Sequence, residues 1–308
     1  MRRHLILAAT FTDFFASTAA AATIWGVDSN SSTGGDRVVR FESSNPAGTI
    51  VSIGNTGVSG FIMSGLDFTP DGTLYACSSS ISATGSLYTI NQTNGQATLV
   101  GSLGLPDERD MTDMTFNPAT GQMVGVAFDG QRNFLYTISR TTGTATLVGE
   151  INSPGSIFLG LCADAGGRMY LESVGGRMHV LDGLSATPMP QTIGVNTIFS
   201  QGMTMDWSAD GAWYLAATFQ HEVGGFNARG DVRLINRTTG GTQQVLGTWP
   251  QIPNDSYPRY AIGDIAVRAV PEPALARLVG LFAVCLNRAC AGRVPTQRCR
   301  TPRSDGRV

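Results

Sequence analysis

The sequence predicts an all-β protein assembled from repeated units of four short strands. One position of the repeat recurs with separations of 48, 47, 44 and 58 residues, at Phe68, Phe116, Ala163, Trp207 and Ile265. The chain has 38 Gly, 14 Pro and only 14% charged residues, which suits many tight turns and little helix. A period in the forties built of four strands is typical of a β-propeller blade, which must stack radially on its neighbours.

The clearest copy of the repeat begins at Ser64. Its first strand leads to an Asp71-Gly72 turn, and the later strands are predicted at residues 74–75, 87–90 and 97–101. The turn between its last two strands recurs nearly unchanged at residues 91–95, 139–143 and 236–240, each time ending on Gly. Glycine adopts the left-handed conformation that such hairpin turns require. The repeats are therefore expected to share one hairpin geometry.

Two incomplete copies lie at the ends of the array. Residues 23–54 supply three strands without a first strand, and residues 260–267 supply a first strand with nothing after it. Together they make one unit, so we expect a five-bladed β-propeller over residues 23–269, in which the C-terminal strand (260–267) completes the first blade. Such a closure removes exposed sheet edges.

The N-terminus has the pattern of a secretory signal peptide over residues 1–22. Two arginines are followed by a mostly apolar stretch and by four alanines that end at Ala22. We therefore predict cleavage after Ala22. The alternative is an ordinary buried N-terminal segment.

The C-terminus, residues 270–308, carries a Pro271-Glu272-Pro273 signature, an apolar run and scattered arginines. This order resembles the PEP-CTERM sorting tail of exported bacterial proteins, and the chain as a whole resembles exported bacterial β-propeller repeat proteins. The tail is degenerate, because its apolar run from Ala274 to Leu286 is interrupted by Arg277 and is too short to cross a bilayer. The alternatives are a tail altered by a reading-frame change and a disordered basic extension.

That resemblance implies a destination and a partner. A membrane-embedded processing enzyme of the exosortase type would remove the tail, so the protein would contact the membrane only transiently. The mature protein would reach the cell surface or extracellular matrix of a bacterium. Nucleic acid is an unexpected partner, because residues 23–270 contain 12 Arg and 20 acidic residues, a net charge of −8.

Long connections on one face of the predicted propeller supply the candidate ligand-binding residues. The loops at residues 218–231, 248–261 and 104–113 mix aromatic, acidic and arginine side chains. Sugar faces stack on aromatic rings while their hydroxyl groups bond to carboxylates, which suits a glycan or extracellular polysaccharide. The alternative is that these are ordinary solvated loops. The candidate residues are His221, Glu222, Arg229, Trp249, Tyr257 and Tyr260.

Carboxylates at one repeat position are expected to approach the propeller axis. Asp67, Asp206 and Asp264 share this position and could hold Ca²⁺, although such residues more often cap turns. No other cofactor is expected. Cys77 and Cys162 are predicted to be buried, inert thiols, since no CxxC spacing occurs.

The sequence favours an exported, non-enzymatic binding module for a glycan or surface partner. The alternatives are a secreted propeller hydrolase or lyase acting on a polysaccharide or lactone, and a purely structural matrix component. No catalytic residue is predicted: His179 fits a packed core position, and His221 with Glu222 would be the only candidate pair. No GxSxG or HExxH motif occurs.

Overall fold

The structure is a computed structural model in which the chain divides into two compact units, Met1–Ala269 and Val270–Val308. All described residues belong to the first unit. They form twenty β-strands and one short helix arranged as an all-β, propeller-like fold. The described residues are 22–29, 36–59, 62–79, 85–106, 109–153, 155–185, 191–195, 202–205, 213–217, 231–248 and 262–268.

The first sheet joins the first and the last described strands of this unit. Its strand order is β20-β1-β2-β3, and all of its pairings are antiparallel. The helix α1 (Pro46–Thr49) lies in the connection between β2 and β3, the last two strands of this sheet. Its strands are β1 (Thr23–Asp28), β2 (Arg37–Glu42), β3 (Val51–Asn55) and β20 (Ile262–Val267).

The next two sheets are built from consecutive strands. The second contains β4 (Ile62–Phe68), β5 (Leu74–Ser79), β6 (Ser86–Ile90) and β7 (Ala97–Ser102). The third contains β8 (Asp110–Asn117), β9 (Gln122–Phe128), β10 (Asn133–Ile138) and β11 (Ala145–Ile151). Their hairpin turns have the predicted geometry, since Gly95 and Gly143 both have φ of 79°.

The last two sheets follow the same order. One contains β12 (Phe158–Ala163), β13 (Arg168–Ser173), β14 (Arg177–Asp182) and β15 (Gln191–Val195). The other contains β16 (Gly202–Met205), β17 (Trp213–Ala217), β18 (Asp231–Ile235) and β19 (Thr242–Thr248).

The first strand of each sheet packs beside the first strands of two other sheets. These contacts join β4 to β8, β8 to β12, β12 to β16, β16 to β20, and β20 to β4. Apolar side chains fill the spaces between sheets: Trp25 and Val38 of the first sheet pack with Leu66 and Phe68 of the second. Full burial of one such side chain stabilises the fold by about 1.5–3 kcal/mol. The core is therefore divided among the interfaces between neighbouring sheets.

Neighbouring sheets also meet closely at their outer strands, through glycine. A Cβ atom added to Gly101 of β7 would lie 2.0 Å from the carbonyl oxygen of Thr142 in the β10–β11 turn. Gly54 of β3 has the same relation, also at 2.0 Å, to Asn94 in the β6–β7 turn. Gly247 of β19 packs on α1, which lies where the second, third and fifth sheets have this turn. Only glycine allows the two backbones to approach this far.

Candidate functional site

Two arginines lie close together at one end of the third sheet, the end where the β7–β8 and β9–β10 connections lie. Arg109 belongs to the β7–β8 connection, and Arg132 belongs to the β9–β10 connection. Their Cζ atoms lie 3.6 Å and 5.2 Å from the centroid of the Phe134 ring. We call the sheet ends that carry these two kinds of connection the loop face. Phe134 is the second residue of β10, so a rigid strand positions both cations.

The two arginines have different partners. The Arg132 guanidinium donates to Asp129 at 2.9 Å and to Glu150 at 3.2 Å, and its side chain is 53% exposed. Such exposed ion pairs contribute about 0–1 kcal/mol to stability. Arg109 is half-buried and donates through Nη1 to the hydroxyl of Tyr136. Within the described part of the chain, Arg109 forms no ion pair with a carboxylate.

Near the axis, Asp67 connects the second sheet to the third. Its Oδ2 accepts hydrogen bonds from Phe116 N at 2.7 Å and from Thr115 Oγ1 at 2.8 Å, both on β8. Its Oδ1 accepts from Phe68 N at 2.7 Å. Asp67 is buried, so without its carboxylate these three donors would lack an acceptor in a region shielded from water. Asp67 therefore holds neighbouring inner strands together.

Two further buried carboxylates make the same kind of link. Asp264 of β20 accepts from the backbone N–H of Leu66 on β4, and Asp113 of β8 accepts from Leu161 N on β12 at 2.5 Å. Each also accepts from the backbone N–H of the residue that follows it. We call Asp67, Asp113 and Asp264 the axial clasps. Each clasp points to the next sheet along the array.

A fourth buried carboxylate joins the first two sheets outside the axial set. Asp36, just before β2, accepts from Met63 N on β4 at 2.5 Å. Burial raises the pKa of Asp36 to about 6 against the opposing effect of that hydrogen bond, and repulsion from Asp28 raises it further. The sequence analysis did not identify Asp36 or Asp113, because neither occupies the aligned repeat position.

Burial raises the pKa of every axial clasp. For Asp67 the pKa rises to about 7, because loss of hydration outweighs the hydrogen bonds from Phe116, Thr115 and Phe68. Burial raises the pKa of Asp113 well above its ordinary value, and the nearby Asp264 carboxylate raises it further. Burial likewise raises the pKa of Asp264, to which repulsion from Asp67 adds. Burial thus favours the protonated form of each clasp more in the folded protein than in the unfolded chain.

The calcium prediction can be compared with the geometry for two of its three residues. Both oxygens of Asp67 and of Asp264 accept backbone hydrogen bonds. Asp206 lies outside the described residues. Among the residues that the structure does describe, no group of three or more His, Cys, Asp or Glu side chains is arranged to hold a metal ion. The carboxylates of Asp67 and Asp264 thus act as acceptors for backbone N–H groups, and the calcium site stays a prediction.

The other predicted site residues fall mostly outside the described chain. The predicted ligand-binding residues, namely His221, Glu222, Arg229, Trp249, Tyr257 and Tyr260, lie there, as does the sorting motif at Pro271, Glu272 and Pro273. These predictions therefore remain predictions.

Ala22, the predicted last residue before signal cleavage, is described and is part of the packed body. It is 6% exposed and belongs to the cluster that contains Phe41 and Val267. Its N–H donates to Ser43 Oγ at 2.9 Å, and its carbonyl oxygen accepts from Ser43 N at 2.8 Å. Residue 22 therefore extends the pairing of β1 with the chain after β2.

The described cysteines and histidine occupy core positions. Cys77 and Cys162 are buried free thiols, and burial raises the pKa of both, which disfavours the reactive thiolate. The His179 ring is buried edge-on to the Phe158 ring, with 5.1 Å between centroids, and burial lowers its pKa. A neutral, packed His179 agrees with its predicted core position.

Comparison with known proteins finds a partial family match. Residues 1–115 match a family model described as a domain of unknown function (DUF4394). No curated protein matches the chain. Among the described residues, none of the helices is long and apolar enough to cross a membrane.

Several solved structures resemble the chain at low sequence identity. One is a structural genomics protein of unknown function from Bacteroides thetaiotaomicron VPI-5482, with 16% identity, a TM-score of 0.49 and coverage of 81% of this chain and 65% of that one. A chain of a nidogen/laminin complex has 10% identity, a TM-score of 0.48 and coverage of 80% and 98%. A putative 6-phosphogluconolactonase from Bacteroides uniformis ATCC 8492 has 15% identity, a TM-score of 0.44 and coverage of 75% and 83%.

Proposed function

We propose that this protein is an exported five-bladed β-propeller that acts as a non-enzymatic binding module for a glycan or another surface partner. The observation that carries this proposal is that polar side chains near the axis and on the loop face have different roles. The described carboxylates near the axis are engaged in holding strands together, whereas Arg109 and Arg132 stand on the loop face. Binding sites commonly lie on loops that a rigid scaffold positions.

The cyclic order of contacts supports the five-blade proposal. The inner strands meet in the sequence β4, β8, β12, β16 and β20, and β20 meets β4 again. Since β20 also pairs with β1, the beginning and end of the body share one sheet. A ring closed in this way leaves no inner sheet face exposed.

Export is supported by the sequence of both ends. The signal-like segment would direct the chain across the membrane, and the PEP-CTERM-like tail would be a substrate for an exosortase-type enzyme before release to the cell surface or matrix. Because Ala22 packs in the core, we infer that signal processing takes place before residue 22 and leaves it in the mature chain. The acidic body argues against nucleic acid as a partner.

A glycan array with the purified protein tests this function. We expect binding to a subset of glycans without turnover, and weaker binding by a Trp249→Ala, Tyr257→Ala double variant. Asn94→Ala, in the turn at the opposite end of the second sheet, is the control and should bind like the wild type.

Three outcomes would overturn the proposal. Release of new reducing ends would favour a hydrolase, and release of unsaturated ends would favour a lyase. Absence of any ligand on arrays of glycans and matrix proteins would favour a purely structural component.

Added Ca²⁺ or a chelator should leave the binding unchanged, since we propose no cofactor. A calcium requirement for binding would favour the axial metal hypothesis.

A further inference from the structure

We propose that Arg109 anchors an anion-binding subsite on the loop face that accepts the carboxylate of an acidic sugar. This inference rests on the proposed glycan-binding function and names the chemistry of one part of the ligand. It does not use the loops that lie outside the described residues.

The first argument is the preorganisation of the guanidinium. At 3.6 Å from the centroid of Phe134, the group is in stacking contact with a buried ring, and Tyr136 accepts one of its N–H groups. Both partners lie on β10, so a strand rather than a loop fixes the orientation. A guanidinium has five N–H donors in a planar fork that matches a carboxylate. Most of these donors are not used by described partners of Arg109.

The second argument is that Arg109 differs from the other described arginines. Four of them are in ion pairs: Arg37, Arg132, Arg168 and Arg233. Two others lie over rings but at greater distances, Arg40 at 5.8 Å from Trp25 and Arg140 at 5.3 Å from Phe116. Arg109 combines the closest of these ring contacts with partial exposure on the loop face.

The third argument concerns the charge of the ligand. Arg132 lies against the same ring, but Asp129 and Glu150 already neutralise it. The charges of the two arginines and these two carboxylates sum to zero, so a second negative charge on the ligand gains little attraction here, while a dianion loses more hydration on binding. The site therefore favours a monoanionic carboxylate, whose two oxygens fit the guanidinium fork, over phosphate or sulfate. An acidic sugar carries such a carboxylate, and it also has the hydroxyl groups of the glycan proposed above.

Calorimetric titration with an oligogalacturonate and with a neutral galactose oligomer of the same length tests the subsite. We expect the wild-type chain to bind the acidic oligomer more tightly than the neutral one. Arg109→Gln should weaken acidic binding by roughly tenfold or more, since charge-assisted bidentate bonds are strong. Arg140→Gln, which removes a stacked arginine from the opposite end of the same sheet, should change it by less than about twofold.

Tyr136→Phe provides a second test in case Arg109→Gln fails to fold. It retains the buried ring and removes only the acceptor, so acidic binding should weaken by a few-fold while the melting temperature stays near that of the wild type. Inorganic sulfate should compete poorly with the acidic oligomer.

The subsite is overturned if the wild type does not prefer the acidic oligomer, if both arginine variants lose affinity equally, if Tyr136→Phe binds like the wild type, or if sulfate competes fully. The proposed function fails separately, when no glycan of either charge binds. A protein that binds only neutral glycans would keep the function and lose the subsite.

Discussion

The axis and the outer rim of this fold join the same neighbouring sheets by opposite means. At the axis, buried carboxylates accept backbone N–H groups across three of the interfaces between sheets, as Asp67 does from Phe116. At the rim, backbones approach directly because a side chain is missing, as at Gly101 against Thr142. The axial contacts depend on hydrogen bonding and protonation, whereas the rim contacts depend on space. The two regions should therefore respond differently to mutation and pH.

Removing an axial clasp should have the largest effect. Asp67→Ala leaves three donors on Phe68, Thr115 and Phe116 without their acceptor, and each unmet buried donor costs about 1–3 kcal/mol. We expect a loss of about 3–6 kcal/mol in the free energy of unfolding, measured by urea denaturation. Asp67→Asn keeps one acceptor oxygen and should lose less. Equal stability of the alanine variant and the wild type would contradict the stabilising role of Asp67.

Adding one methyl group at the rim should have the next largest effect. In Gly101→Ala the new Cβ would meet the Thr142 carbonyl oxygen at 2.0 Å, so the third sheet must move away. We expect a loss of about 2–4 kcal/mol, without a change in pH dependence. Gly166→Ala is the matched control: its nearest atom would be Asp164 Oδ1 at 3.3 Å, and the change should be below about 1 kcal/mol. Similar losses in both variants would argue against close packing at the rim.

The pH dependence of stability sharpens the distinction. The pKa of Asp67 is raised from 3.8 to about 7 in the folded protein. Its contribution to the free energy of unfolding is therefore fully present below pH 3.8 and is lost as the pH rises through 7. Between pH 5 and pH 8 this one group should lower the free energy of unfolding by about 2–3 kcal/mol. Urea denaturation at both pH values measures the loss. Asp67→Asn should reduce it and Gly101→Ala should not; a wild type whose stability rises over this interval contradicts the assignment.

The sequence predicted the local elements better than the contacts between them. Strand positions and hairpin turns could be predicted because they depend on alternation, Gly and Asn within one repeat, as at Asn91 and Gly95. The repeat alignment placed Asp67 and Asp264 at equivalent positions, and in the structure each accepts an N–H from the first strand of the next sheet. Their partners could not be predicted, since a backbone N–H of another sheet has no signature in sequence. The calcium hypothesis, which also involves Asp206, stays a prediction.

Residues outside the alignment were harder to find. Asp113 precedes the aligned Thr115 by two residues, so the same kind of link comes from a different place in the repeat. Arg109 lies in the loop at residues 104–113 that the sequence predicted to carry ligand-binding residues, but its contact with Phe134 joins that loop to a strand that is distant in sequence. A search for inward-facing Asp residues along each first strand, without a fixed register, would have found Asp113.

Disulfide formation between the two ends of the body tests ring closure most directly. Ile24 pairs with Val267 in antiparallel register, so Thr23 and Arg268 are adjacent across the same strand pair. In a chain whose tail cysteines are replaced by serine, Thr23→Cys with Arg268→Cys should cross-link rapidly under mild oxidation when folded and slowly when denatured. Strand neighbours lie close enough for a disulfide bond. Two thiols that both react with a labelling reagent in the folded protein but never cross-link would contradict the closed propeller.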